Sequence, residues 1–185
     1  MTTRTGASSS SPANMTLGAG IIYVQATSGG SYVKIGVTRG GVTFTPGIPL
    51  RNIEFDGSQG ATKGFVRNDK GNPTMTATIL ELTQTNLQQL IPGSALTGDV
   101  IASGGQIKTT DYLYAVKWVG YRAENATDTI EIVMNNVLCT EPITLTSADN
   151  DEATVAITLT AHYDLDAAET DDGYLPVPYS ITSTL

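Results

Sequence analysis

The chain has 185 residues, 40% of them hydrophobic, which fits one domain that buries roughly 70% of its extended surface without staples. Its single cysteine, Cys139, excludes an intrachain disulfide and reads as a small buried apolar side chain. A formal charge of −8 with no basic patch excludes strong nucleic-acid binding, because affinity for phosphate comes from Lys and Arg.

Residues 1–14, MTTRTGASSSSPAN, lack the apolar run of a signal peptide. No apolar stretch approaches the ~20 residues of a membrane helix, so the protein is expected to be made and kept in a cytoplasm unless something else exports it. Residues 1–18, rich in Ser, Thr and Gly, read as a flexible N-terminal arm. The sequons at Asn14 and Asn125 then read as accidents of composition.

From Gly20 the pattern is strand after strand. Ile22, Val24 and Ala26 alternate with Ile21, Tyr23 and Gln25. Val33, Ile35 and Val37 precede Arg39-Gly40-Gly41, and Val42 and Phe44 follow, which predicts a hairpin turning at the glycines. Ile53 and Phe55 read as a further strand. Residues 57–72 hold four glycines around Phe65 and Val66, a loop too long for an ordinary connection and of the kind a partner orders. Met75, Ala77 and Ile79 alternate with Thr74, Thr76 and Thr78. Residues 83–91 predict a helix, with Thr83 as N-cap, Leu87, Leu90 and Ile91 on one face, and Pro92-Gly93 as its stop.

Tyr112, Tyr114, Val116 and Trp118 share one side of a strand that is apolar on both faces. Ile130, Ile132 and Met134 alternate next. Ile143 and Leu145 lead through the turn around Asp149 to Val155, Ile157, Leu159 and Ala161, whose opposite face carries Thr154, Thr158 and Thr160. Residues 164–185 show no period until their end, and Pro176 and Pro178 keep them extended, so they read as a C-terminal arm. The expected class is all-β with one short helix, with a domain over residues 19–163.

The segment PLRNIEFDGSQGATKGFVRNDKGNPTMTATILELTQTNLQQLIPG, preceded by a glycine turn in a hairpin, resembles the tail tube (major tail) proteins of long-tailed bacteriophages, closest to those of siphophages. The similarity runs from about Ile21 to the C-terminus. It implies a β-sandwich of two antiparallel sheets that contributes strands to a hexameric lumenal barrel. It implies a virion protein, assembled in the host cytoplasm, that polymerises as stacked rings conducting double-stranded DNA without binding it. The partners it implies are further copies of the chain, the tape measure protein, the tail tip and the tail terminator; it implies no cofactor.

The charge is uneven, with +3 over residues 33–70 and −9 over residues 141–185. The basic loop with Arg51, Lys63, Phe65, Arg67 and Lys70 is therefore a candidate contact for an acidic segment of the adjacent ring carrying Asp166, Asp171 and Asp172. The alternative is a solvated loop and a solvated tail. Thr74, Thr76, Thr78, Thr154, Thr158 and Thr160 form two candidate faces for a non-adhesive lumen wall, since neutral hydroxyls hydrate without gripping phosphate.

A catalytic role is not expected. His162 is the sole histidine, on the threonine face, and no nucleophile elbow is present. The acidic runs at Asp149, Asp151 and Glu152 and at Asp166, Glu169, Asp171 and Asp172 do not match a calcium loop, so no metal site is assigned. Two rivals remain: the inner tube of a contractile tail or secretion system, which the resemblance implies shares the same fold, and, from another class, a virion decoration or carbohydrate-binding β module, which an acidic all-β domain could also be and which predicts an exposed aromatic platform.

Overall fold

The computed structural model describes residues 20–69, 71–81, 83–121, 128–149, 151–169 and 175–184. In chain order these form β1 (Ile21–Gln25), β2 (Val33–Lys34), β3 (Thr38–Thr45), β4 (Leu50–Asn52), β5 (Val66–Asn68), β6 (Thr74–Ile79), α1 (Gln84–Leu90), β7 (Ser94–Thr97) and β8 (Val100–Ser103). A 3-10 turn at Thr109–Asp111 leads to β9 (Leu113–Tyr121), β10 (Thr129–Cys139), β11 (Thr144–Ala148), β12 (Asp151–Ala161) and β13 (Tyr179–Ser183). The chain is all-β with one helix, and every strand pairing is antiparallel.

Nine strands make one branched sheet in the order β2-β1-β9-β10-β12-β6-β3, with β13 beside β10 and β11 beside β12. The branch has a local cause. The first half of β10 pairs with β13 through Ile130–Met134, and its end pairs with β12 through Val137–Cys139. Between them Asn136 adopts φ 51, a left-handed conformation that Asn tolerates better than other side chains. The strand kinks there, and the sheet divides into two halves whose inner residues meet. Ile22, Val24, Val116 and Met134 of one half pack with Met75, Ile79, Val155, Ile157 and Leu159 of the other in a single buried cluster. Phe44 on edge strand β3 meets Tyr179 on edge strand β13 edge-on at 5.4 Å, bringing the far edges together. Each fully buried Leu, Ile or Met contributes about 1.5–3 kcal/mol.

The helix forms as its cap predicts. The Thr83 side chain accepts from the Asn86 N–H at 3.2 Å, Leu90 is buried, and Ile91 ends the helix. Asn86 is buried too, and its amide donates to the Ile35 carbonyl at 2.5 Å, tying the helix to the backbone beyond β2. Periodicity assigns that position to a polar face and misses the bond.

Three expectations need correction, and one hairpin was not foreseen. Gly40 and Gly41 do not turn a hairpin: with φ 78 and 85 they form a bulge inside β3, where the register with β6 jumps between Arg39 and Val42, and β2 pairs with β1. The 57–72 loop is not structureless, because β5 lies within it and pairs with β4. The C-terminal segment is an arm only in part, since β13 pairs with β10 from Ile130 to Met134. The hairpin β7–β8 is the unforeseen one, although Gly98-Asp99 flanked by Leu96-Thr97 and Val100-Ile101 is its signal. Residues 1–18, Lys70, Asn125, Asp171 and Asp172 lie outside the described residues.

Candidate assembly surfaces

Two surfaces stand out, a projecting hairpin and a hydroxyl-lined sheet face. In the hairpin Leu50, Arg51 and Asn52 pair with Asn68, Arg67 and Val66, so Arg51 and Arg67 are direct cross-strand neighbours on one face. The ladder continues where the Ile53 N–H donates to the Phe65 carbonyl at 2.8 Å. Beyond it the rings of Phe55 and Phe65 stack tilted at 4.8 Å, an aromatic pair that orders the excursion. Almost every residue from Leu50 to Asp69 is exposed or partly so, including Leu50 at 70%. The hairpin is thus folded but stands off the body.

Its root is tight. The Asp69 N–H donates to the Pro49 carbonyl at 2.7 Å, and the backbones at Gly47 and Gly71 approach so closely that neither position has room for a Cβ. Asn72 donates to the Ala161 carbonyl at 2.8 Å and Tyr163 to the Gly71 carbonyl at 3.3 Å, which fixes the root to the end of β12.

The structure therefore brings Arg51, Phe65 and Arg67 together on one element. The Arg67 guanidinium donates to the carbonyls of Gly64 and Val66, each at 3.0 Å. Lys63 sits exposed near the tip. Asp166 is exposed on the segment after β12, its N–H donating to Asp164 at 3.0 Å, and among the described residues it makes no ion pair with the hairpin.

The two candidate threonine faces prove to be one. Along the antiparallel ladders Thr45 adjoins Thr74 and Thr74 adjoins Thr160; Thr43 adjoins Thr76 and Thr76 adjoins Thr158. Thr78 lies between Arg39 and Ala156, and Thr144 and Thr146 on β11 continue the surface past Ala156 and Thr154. The opposite side of β6 and β12 holds Met75, Ala77, Ile79, Val155, Ile157 and Leu159, all buried, so strict alternation turns the hydroxyls of these two strands outward. The Thr140 and Thr160 hydroxyls meet at 2.7 Å.

At one end of this face Arg39 forks onto two carboxylates, Asp151 at 3.0 Å and Glu152 at 3.5 Å. Hydrogen bonding from Arg39 is the main reason the Asp151 carboxyl sits below the usual carboxylate range. Sequence reading treated Asp151 and Glu152 only as a turn or a calcium run; their partner lies 112 residues away. A second cluster missed by sequence lies on β9, where Lys117 sits 3.7 Å from Glu131 and 4.7 Å from the Tyr32 ring centroid. Burial, then Glu131, pushes the Tyr32 hydroxyl up.

His162 does not sit among acid–base partners. Its N–H and ring Nδ1 both face the Asn136 carbonyl, at 3.1 and 3.2 Å, and its ring meets Tyr112 edge-on at 5.2 Å. Trp118 packs on the core, so Tyr112, Tyr114 and Trp118 do not make one exposed aromatic platform. Among the described residues no three His, Cys, Asp or Glu side chains are placed to hold a metal, and no helix is long and apolar enough to cross a membrane.

No protein family and no curated protein matches the chain in sequence. Its fold does match solved structures. A chain of the PVC sheath–tube complex of an extracellular contractile injection system, in the extended state, aligns with a TM-score of 0.54 at 16% identity, over 97% of this chain and 100% of that one. A chain of the tube-terminating cap of the anti-feeding prophage aligns with a TM-score of 0.49 at 14% identity, over 89% and 88%. At such identity the likeness is one of fold: this chain shares the mostly antiparallel β architecture of the matched sheath–tube chain. The sequence resemblance pointed first to siphophages, and these neighbours do not single them out.

Proposed function

We propose that the chain is a structural subunit of a phage-tail-like tube that polymerises as stacked hexameric rings, with the threonine face of β3, β6, β12 and β11 turned to the lumen. The observation that carries this reading is the continuity of that face. Ten threonines, Thr43, Thr45, Thr74, Thr76, Thr78, Thr144, Thr146, Thr154, Thr158 and Thr160, cover four adjoining strands without an intervening large apolar residue. Hydroxyls stay hydrated and carry no charge, so a polyanion or folded cargo slides along them without a fixed counter-charge to hold it. Edge strands β3 and β11 border this surface and are open to pairing with a neighbouring copy, which closes a barrel and removes the exposed edges.

The hairpin β4–β5 is the contact to the next ring in this reading. Arg51, Lys63, Phe65 and Arg67, with Lys70, face an acidic segment containing Asp166, Asp171 and Asp172, and the exposed Leu50, Phe55 and Val66 add apolar area. The partners are copies of the same chain and the tape measure, tip and terminator proteins of such a tail.

A second reading has a specific observation behind it. The fold match to a chain of a sheath–tube complex supports the inner tube of a contractile system as well as it supports a non-contractile tail that conducts DNA. Electron microscopy of the concentrated pure protein tests the common core: rings or tubes are expected, and discrete globules at all concentrations refute it. Recruitment of a separately expressed sheath protein onto those tubes distinguishes the contractile form.

A further inference from the structure

The threonine face carries one cation, and the protein cancels it from within. Arg39 is the only Lys or Arg in β3, β6, β11 and β12, and Asp151 and Glu152 are the only carboxylates in them. Arg39 lies opposite Thr78, and with Gly40, Gly41, Thr76 and Thr158 it lines a shallow recess of about 320 Å³ opened by the β3 bulge. A guanidinium fork beside neutral hydroxyls is a donor set that suits a phosphodiester, because the planar fork matches two anionic oxygens and the hydroxyls add further donors.

Both arms of that fork are occupied by the chain itself. Nη1 lies 3.0 Å from Asp151 Oδ1 and Nη2 lies 3.5 Å from Glu152 Oε2, while the Glu152 N–H holds the same Asp151 oxygen at 2.9 Å. The Arg39 side chain remains 49% exposed, so it is not buried out of reach of a ligand. We propose that the Arg39 recess is a phosphodiester-binding site held shut by the carboxylates of Asp151 and Glu152, which take the place of a passing polyanion. Both carboxylates are ionised at neutral pH, as any solvent-exposed Asp or Glu is. The chemistry of the recess stands by itself; its consequence, a wall that does not retain nucleic acid, rests on the tube reading.

The test is the D151N/E152Q variant of the full chain, titrated with a short fluorescein-labelled DNA duplex at low ionic strength and followed by anisotropy. A freed Arg39–phosphate contact raises affinity about tenfold or more. The slope of log affinity against log salt steepens by about 0.9 for each arginine engaged. Adding R39Q to the same variant is expected to abolish the gain. A D99N/E169Q variant, which removes two negative charges elsewhere, is expected to change affinity little. The proposal is overturned if D151N/E152Q binds DNA no better than the unmodified chain, if the gain survives R39Q, or if D99N/E169Q shows the same gain. Microscopy of each sample separates the two readings: a gain in protein that forms no rings leaves the recess standing and refutes the tube, and rings without a gain do the reverse.

Discussion

Substituting the glycines at the root of the β4–β5 hairpin separates the ordering of that hairpin from the stability of the sheet. A Cβ on Gly71 would overlap the Gly47 carbonyl oxygen, and a Cβ on Gly47 would overlap the Asn72 carbonyl. Both obstacles are backbone, so no rotamer change relieves them. Gly47 also has φ 65, which costs an L-residue about 1–2 kcal/mol. A forced shift in a packed region costs about 1–3 kcal/mol. Gly71→Ala therefore destabilises by about 2 kcal/mol from overlap alone, and Gly47→Ala by about 3 kcal/mol from overlap and conformation together. For a chain of this size these values lower Tm by about 4–8 °C and 6–12 °C. Relief comes most readily by swinging the hairpin, because one strand of the root is bound to β12 through Asn72 and Tyr163 while residues 50–68 of the hairpin are exposed or partly exposed. Thermal melts by circular dichroism, with hydrogen exchange at the Asp69 amide that bonds Pro49, measure both effects. Unchanged Tm and unchanged Asp69 protection in both variants would refute the close-packed root.

Other outcomes follow from single contacts. Asn86→Leu leaves the Ile35 carbonyl without its buried donor and is expected to cost about 1–3 kcal/mol by denaturant unfolding, more than Thr83→Ala, which removes a cap bond of about 1 kcal/mol. Leu159→Ala opens a cavity where the two sheet halves meet and is expected to cost about 2–5 kcal/mol. Cys139 is buried and burial pushes its thiol up, so thiol reagents at mildly alkaline pH are expected to label the native chain far more slowly than the denatured one. The folded Asp151 pKa is lowered, so its contribution is complete above the unfolded carboxylate pKa and fades as pH falls through the folded value. Melting curves of D151N are therefore expected to differ from the unmodified chain at neutral pH and converge in acid.

Much of the strand content was legible because alternation is a one-dimensional signal. Val155, Ile157 and Leu159 against Thr154, Thr158 and Thr160, or Met75, Ala77 and Ile79 against Thr74, Thr76 and Thr78, state which side meets the core whatever strand lies beside them. The helix was legible through Thr83 and Pro92. Gly40-Gly41 was not, since a tight turn and a bulge both need positive φ and the residues alone do not distinguish them. Tyr179–Ser183 hides behind two prolines, and only the open edge of β10 makes it a strand.

Chain order and residue type thus determined an all-β domain, its helix, its hydroxyl-rich strand faces and the crowding of positive charge between β3 and β6. Tertiary structure alone decided that the two threonine faces are one, that Arg51 and Arg67 stand side by side, and that Arg39 meets Asp151 and Glu152 across 112 residues. The physical reason is register: side-chain direction is set within each strand, but which strands adjoin depends on how the inner faces pack and on where Asn136 bends β10.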